Sequence, residues 1–188
     1  MSEMGMIHLV CSFLAIITGA WVMWIPKGTR WHRTIGHAYG WFMVGLLVSA
    51  FLIYDLTGSF GPFHFAAIMS SVTLFGGMFT VLARRPRAKW IREHAIWMSW
   101  SYIGLMAAFA AESLTRFVMP MIAPLLQDNG QGWAVFWTSV AVSSFGVMGI
   151  GWYLLKTRLD AVVASTPEQM RRERDALQQI ETASAESV

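Results

Sequence analysis

Cysteine, charge and the signature motifs of soluble enzymes are all scarce in this chain. One cysteine, Cys11, stands among 188 residues, so there is neither a disulfide framework nor a thiolate metal motif, and Cys11 reads as a small buried hydrophobe. Charged residues make up 13% of the sequence, too few for an ordinary soluble domain. There is no Walker-type or dinucleotide glycine motif, no nucleophile elbow and no HExxH signature, which argues against nucleotide, acyl-transfer and zinc-protease chemistry. No inverted repeat with matched broken helices is visible, which lowers the expectation of a transporter. The N-terminus carries no positively charged stretch before its first apolar run, so that run is expected to be retained rather than cleaved as a signal.

What is abundant is apolar length. Hydrophobic residues are 55% of the chain, and a bilayer-spanning helix needs roughly 20 of them in a run. Five segments qualify: Met6–Ile25, Gly36–Tyr54, Pro62–Ala83, Ala95–Met119 and Trp133–Leu155. The expected fold is all-α, an integral membrane bundle of five helices, four forming a core with one added. Close packing in lipid favours small residues, and Gly36-xxx-Gly40 and Gly76-Gly77 suit it.

Lys and Arg mark cytoplasmic loops. Lys27, Arg30 and Arg33 fall between helices 1 and 2; Arg84, Arg85, Arg87, Lys89 and Arg92 between 3 and 4; Lys156 and Arg158 after helix 5. The Tyr54–Gly61 and Gln127–Gly132 connections carry only Asp55 and Asp128. The expected topology is N-out and C-in, in a bacterial inner membrane. The net charge of +3 follows from this asymmetry and from anionic lipid, and implies no nucleic-acid partner.

Residues 1–158 thus read as the membrane domain and 159–188 as a polar cytoplasmic tail with six acidic and three basic residues. Ser165-Thr166-Pro167-Glu168 has the composition of a helix start. Met170, Leu177 and Ile180 follow as a thin apolar stripe, suited to docking on a membrane-protein partner or on the bundle itself. Thr182–Val188 is expected to be disordered.

Ionisable side chains in a span usually face a bundle interior, a cavity or a cofactor. Four of the five histidines sit at ends of successive spans: His8 and His64 at the outer level, His37 and His94 at the inner. In an up-down four-helix core, helices 1 and 3 are diagonal, as are 2 and 4. Each histidine pair would then face across the core, a geometry that holds a haem between two axial imidazoles. His32, five residues before His37, would point well away from it and reads as a loop or supporting residue. Over Met6 to about Met119 this arrangement resembles the two-haem b-type membrane cytochromes, which implies haem b, with Arg33 neutralising inner propionates and Arg116 outer ones.

A second resemblance rests on Lys27-Gly28-Thr29, His32-Arg33 and Gly36; on Gly61-Pro62 with His64; and on His94, Met98, Tyr102 and Glu112. These residues are similar to a bacterial family of predicted multi-span membrane proteins carried as a domain of unknown function. That resemblance implies fold and topology and no particular chemistry.

Other constellations compete with haem. Glu112 lies level with His8 and His64, and the three could hold one transition-metal ion; Glu112 could equally pair with Arg116 four residues on. Met4, Met6 and His8 form an M-x-M-x-H run whose two thioethers suit Cu(I), although methionine also fills apolar gaps. Lys27, Arg30, His32, Arg33 and Trp31 could hold propionates, a lipid or a quinone head group, or simply set topology. Pro120 and Pro124 predict a bent segment over Phe117–Leu126. The leading expectation is a membrane haem protein passing electrons between the quinone pool and a partner. The alternatives are a metal-handling accessory protein and a structural subunit of a larger complex.

Overall fold

The computed structural model describes residues 3–53, 60–86, 89–122, 124 and 131–186. It contains α1 (Glu3–Trp24), α2 (Arg30–Leu52), α3 (Pro62–Ala83), α4 (Trp90–Phe117), the single turn α5 (Met119–Ile122), α6 (Gln131–Ala164) and α7 (Pro167–Glu186), with no strand among the described residues. Five of these helices are long and apolar enough to cross a membrane. Most of the connections at residues 54–61 and 127–132 lie outside the described residues.

α1 packs along α2, α2 on α3, α3 on α4, and α4 closes back on α1. That ring is the four-helix core, and α6 lies along the far side of α4. The centre is small: Ala15, Tyr39, Met43, Leu46, Leu47, Ala67, Leu74 and Leu105. Large apolar side chains such as Phe13, Trp41, Phe75, Phe79 and Phe145 are exposed on the helix surfaces. In water such a surface would be an association site; on five spanning helices it is the face that meets lipid.

Helices in lipid gain little from burying apolar area against each other and hold together by close packing and hydrogen bonds. The glycines show where the backbones approach. A Cβ at Gly19 would lie 2.5 Å from the Tyr102 ring and 3.0 Å from Tyr39; at Gly76 and Gly77 it would strike Trp97 and Met98. Gly76-Gly77 is thus a close α3–α4 contact. The Gly36-xxx-Gly40 pair is not one, since a Cβ at Gly36 would meet only Val22 at ordinary distance and one at Gly40 would meet nothing.

Several boundaries differ from the apolar runs. α2 begins at Arg30, one turn and a half before Gly36, because the Thr29 hydroxyl accepts a hydrogen bond from the His32 N–H and caps the helix. α6 continues through Asp160 to Ala164, so the start of the polar tail is part of the same helix, and Arg92 reaches Asp160 at 3.7 Å. α7 starts at Pro167, as its sequence implies, but runs to Glu186. Residues 182–186, expected to be disordered, are helical there; alanine-rich sequence without Gly or Pro sustains the last turn. In the bent segment, α4 ends at Phe117 and α5 follows after Val118; 123, 125 and 126 lie outside the described residues.

Candidate functional site

The basic end of the bundle is organised by the short α1–α2 corner. Gly28 takes φ +77, a conformation open to glycine, and the Pro167 ring of α7 packs above it. Lys27 folds back onto α1: its ammonium donates to the carbonyls of Val22 (3.0 Å), Met23 (2.7 Å) and Ile25 (3.0 Å). Three orphan carbonyls at a helix C-terminus are satisfied by one side chain. Burial holds the Lys27 amine below its ordinary pKa. Lys27 is therefore a helix cap, with its donors occupied.

The same corner places His32 inside the bundle. The buried stripe of α2 runs Ile35, Tyr39, Met43, Leu46, and His32 lies three residues before Ile35, on that stripe. His37 is two residues after Ile35, about 200° around the helix, and is exposed. The histidine facing His94 is accordingly His32, not His37: their rings stand 6.5 Å apart, centroid to centroid, at 84°. This corrects the expected inner pair, and the buried stripe that identifies it emerges only from the packing of α2 in the structure. Arg33 is exposed at the same level and makes no ion pair among the described residues.

The hydrogen bonds of the pair define which nitrogens remain. His94 Nδ1 lies 3.0 Å from the Gly77 carbonyl, and a carbonyl can only accept, so Nδ1 carries the proton and Nε2 the lone pair. His32 lies close to the Val22 carbonyl, while its Nδ1 is buried with no hydrogen-bond partner. Nδ1–H to backbone carbonyl is the arrangement that orients metal-binding imidazoles. About two turns deeper, seven residues on along both helices, the Tyr39 hydroxyl meets Ser101 Oγ at 2.9 Å. Tyr102 packs edge-on against Tyr39 and donates to the Ile16 carbonyl at 3.4 Å.

At the opposite end the expected residues do not gather as one set. His8 Nδ1 meets Ser49 Oγ on α2 at 3.2 Å and lies within electrostatic reach of Glu112 and Arg116. Glu112 and Arg116 pair with each other, at 2.7 Å and 2.9 Å. His64 is buried, accepts from the Gly61 N–H at 3.1 Å and stacks on Phe60, so it completes the N-terminal cap of α3. Among the described residues no three His, Cys, Asp or Glu side chains converge to hold a metal ion.

Two surface clefts flank the basic end. One, of about 410 Å³, is lined by Trp21, Ile25, Pro26, Thr29, Trp31 and Ile35. The other, of about 570 Å³, lies between α3 and α4 and is lined by Phe79, Thr80, Arg85, Pro86, Glu93 and Trp97.

No curated protein and no solved structure gives a significant match to this chain. Residues 5–150, which hold every side chain of the sites above except Pro167, match the family described as predicted membrane protein (DUF2306), and the chain belongs to that family.

Proposed function

We propose that this protein is a membrane b-type haem protein that passes electrons between the quinone pool and a partner, with its basic end on the cytoplasmic side of a bacterial plasma membrane. The observation that carries the reading is the His32–His94 pair. Two imidazoles on diagonal helices face each other: His94 keeps the Nε2 lone pair, and His32 Nδ1 is buried with no hydrogen-bond partner. Metal–imidazole bonds of roughly 2.0–2.1 Å set two rings that share an ion about 6 Å apart between centroids, close to the 6.5 Å found. Histidine is a common axial ligand of haem iron. Bound haem would supply one-electron transfer; the chain supplies the two ligands, the Gly77 carbonyl that orients His94, and Arg33 as the cation for propionates.

At the other end the donor set does not fit a second haem. His8 turns to Ser49 and His64 to the α3 cap, and Arg116 is held by Glu112, so no group is placed there.

Topology follows the Lys/Arg content of the loops, with α7 on the cytoplasmic side. Its exposed Met170, Leu177 and Ile180 are the surface for a membrane-protein partner. The deciding experiment is an optical spectrum of protein expressed with ample haem and kept in native lipid, oxidised and then dithionite-reduced. A Soret band with sharp reduced α and β bands is expected; a featureless spectrum would remove the reading.

A further inference from the structure

The cleft between α3 and α4 has a feature unusual for a membrane surface. Arg85 and Glu93 both line it, yet they form no ion pair, and neither has a side-chain partner among the described residues. An exposed ion pair contributes only about 0–1 kcal/mol, so opposite charges in one cleft can stay apart at little cost. Left apart, they present one donor fork and one acceptor to whatever enters. Phe79 and Trp97 add aromatic walls, and Phe79 is exposed on the lipid face, so the cleft opens sideways into the bilayer at the level where α3 ends and α4 begins.

The floor of this cleft connects to the histidine pair through a single backbone carbonyl. Thr80 Oγ donates to the Gly77 oxygen at 2.8 Å, and His94 Nδ1 bonds the same oxygen at 3.0 Å. Thr80 has spent its only proton on that bond, so its lone pairs are left to accept from a ligand O–H. The cleft therefore offers two acceptors, Thr80 and Glu93, and one cationic donor, Arg85.

We infer that this cleft binds the head group of a membrane quinone, in its hydroquinone form. A hydroquinone has a flat ring for Phe79 and Trp97, an O–H for Glu93, oxygens that accept from Arg85, and an apolar tail that leaves through the lipid-facing side. The volume of about 570 Å³ is within the range of small-molecule sites. A phospholipid is the competing occupant. Its phosphate would stand against Arg85 but bring a second anion beside Glu93, and it would make no use of the connection to His94. The inference rests on the haem reading for its purpose, since the site would deliver its ligand beside the haem. It does not rest on that reading for its test.

That test is photolabelling of the full chain in phosphatidylcholine nanodiscs with an azido-substituted ubiquinone analogue, reduced in place, followed by peptide mass spectrometry. Label is expected within Phe79–Pro86 or Trp90–Trp97, displaced by excess decylubiquinol and not by phosphatidylethanolamine. Arg85→Leu and Glu93→Gln are each expected to lower labelling about tenfold, the size expected for losing one hydrogen bond to a charged group. His37→Ala, on the exposed face of α2, is expected to leave it unchanged, and so is preparation without added haem, which separates this site from haem binding. Variants that elute as the parent does on gel filtration yet label as the parent does would overturn the inference. So would label spread evenly over the lipid-facing helices, or label displaced by phosphatidylethanolamine.

Discussion

The hydroxyl of Tyr39 lies 2.9 Å from that of Ser101, joining α2 to α4 across the diagonal of the bundle, and both residues are buried. Interhelical hydrogen bonds in membranes average about 0.6 kcal/mol and reach roughly 1.7. Tyr39→Phe is expected to destabilise by an amount in that range, because Ser101 can turn its hydroxyl to a carbonyl of its own helix. A double-mutant cycle with Ser101→Ala, read by unfolding in mixed micelles, checks it. An interaction energy of zero would mean the contact is incidental to stability.

One level away, the histidines separate ligand from bystander. His94→Ala and His32→Ala are each expected to lower haem content more than about tenfold, the scale on which even supporting residues of metal sites act. His37→Ala, on the exposed face of α2, is expected to keep the parent's spectrum. Pyridine haemochromogen assay of the three variants decides this. Loss of haem in His37→Ala with retention in His32→Ala would reverse the assignment.

Glycine contacts allow a sharper test of packing. Gly19→Ala places a methyl 2.5 Å from the Tyr102 ring, and overpacking of this kind costs about 1–3 kcal/mol. Gly40→Ala meets nothing within 4 Å and is expected to be neutral or stabilising by about 0.5–1 kcal/mol, since alanine is the better helix former. Thermal unfolding of the two variants should shift in opposite directions or leave Gly40→Ala unmoved.

Lys27→Met keeps length but removes the cap on the α1 carbonyls of Val22 and Met23 and on that of Ile25 just past the helix. A cost of about 1 kcal/mol is expected from lost hydrogen bonding, together with faster amide exchange in the last turn of α1. Lys27→Arg should recover part of it. If Lys27→Met were as stable as the parent, the three contacts would carry no weight.

Much of the architecture was legible because membrane insertion is a one-dimensional problem. Apolar length decides which segments span, so five helices, the four-helix ring and the start of α7 at Pro167 followed from runs and caps alone. Helix ends were less legible. The Thr29 cap draws α2 back into the charged stretch, and α6 carries on past Lys156, because hydrogen bonds end a helix and hydropathy does not.

Rotation about each helix axis was the part that sequence level could not assign from histidine depth. His37 and His32 sit close in depth, yet about 140° apart around α2, and only the packing of Tyr39 against Ser101 and Tyr102 settles which one enters the bundle. The same holds for His64, which hydropathy ranks beside His8 and which local capping claims for Gly61. Sequence by itself determined that the chain is a membrane bundle with histidines near both ends, since burial in lipid depends on composition along the chain. The tertiary structure alone decided that His32 meets His94, that Lys27 is a cap, and that Arg85 and Glu93 share a cleft without pairing, since those relationships depend on side-chain direction between helices far apart in sequence.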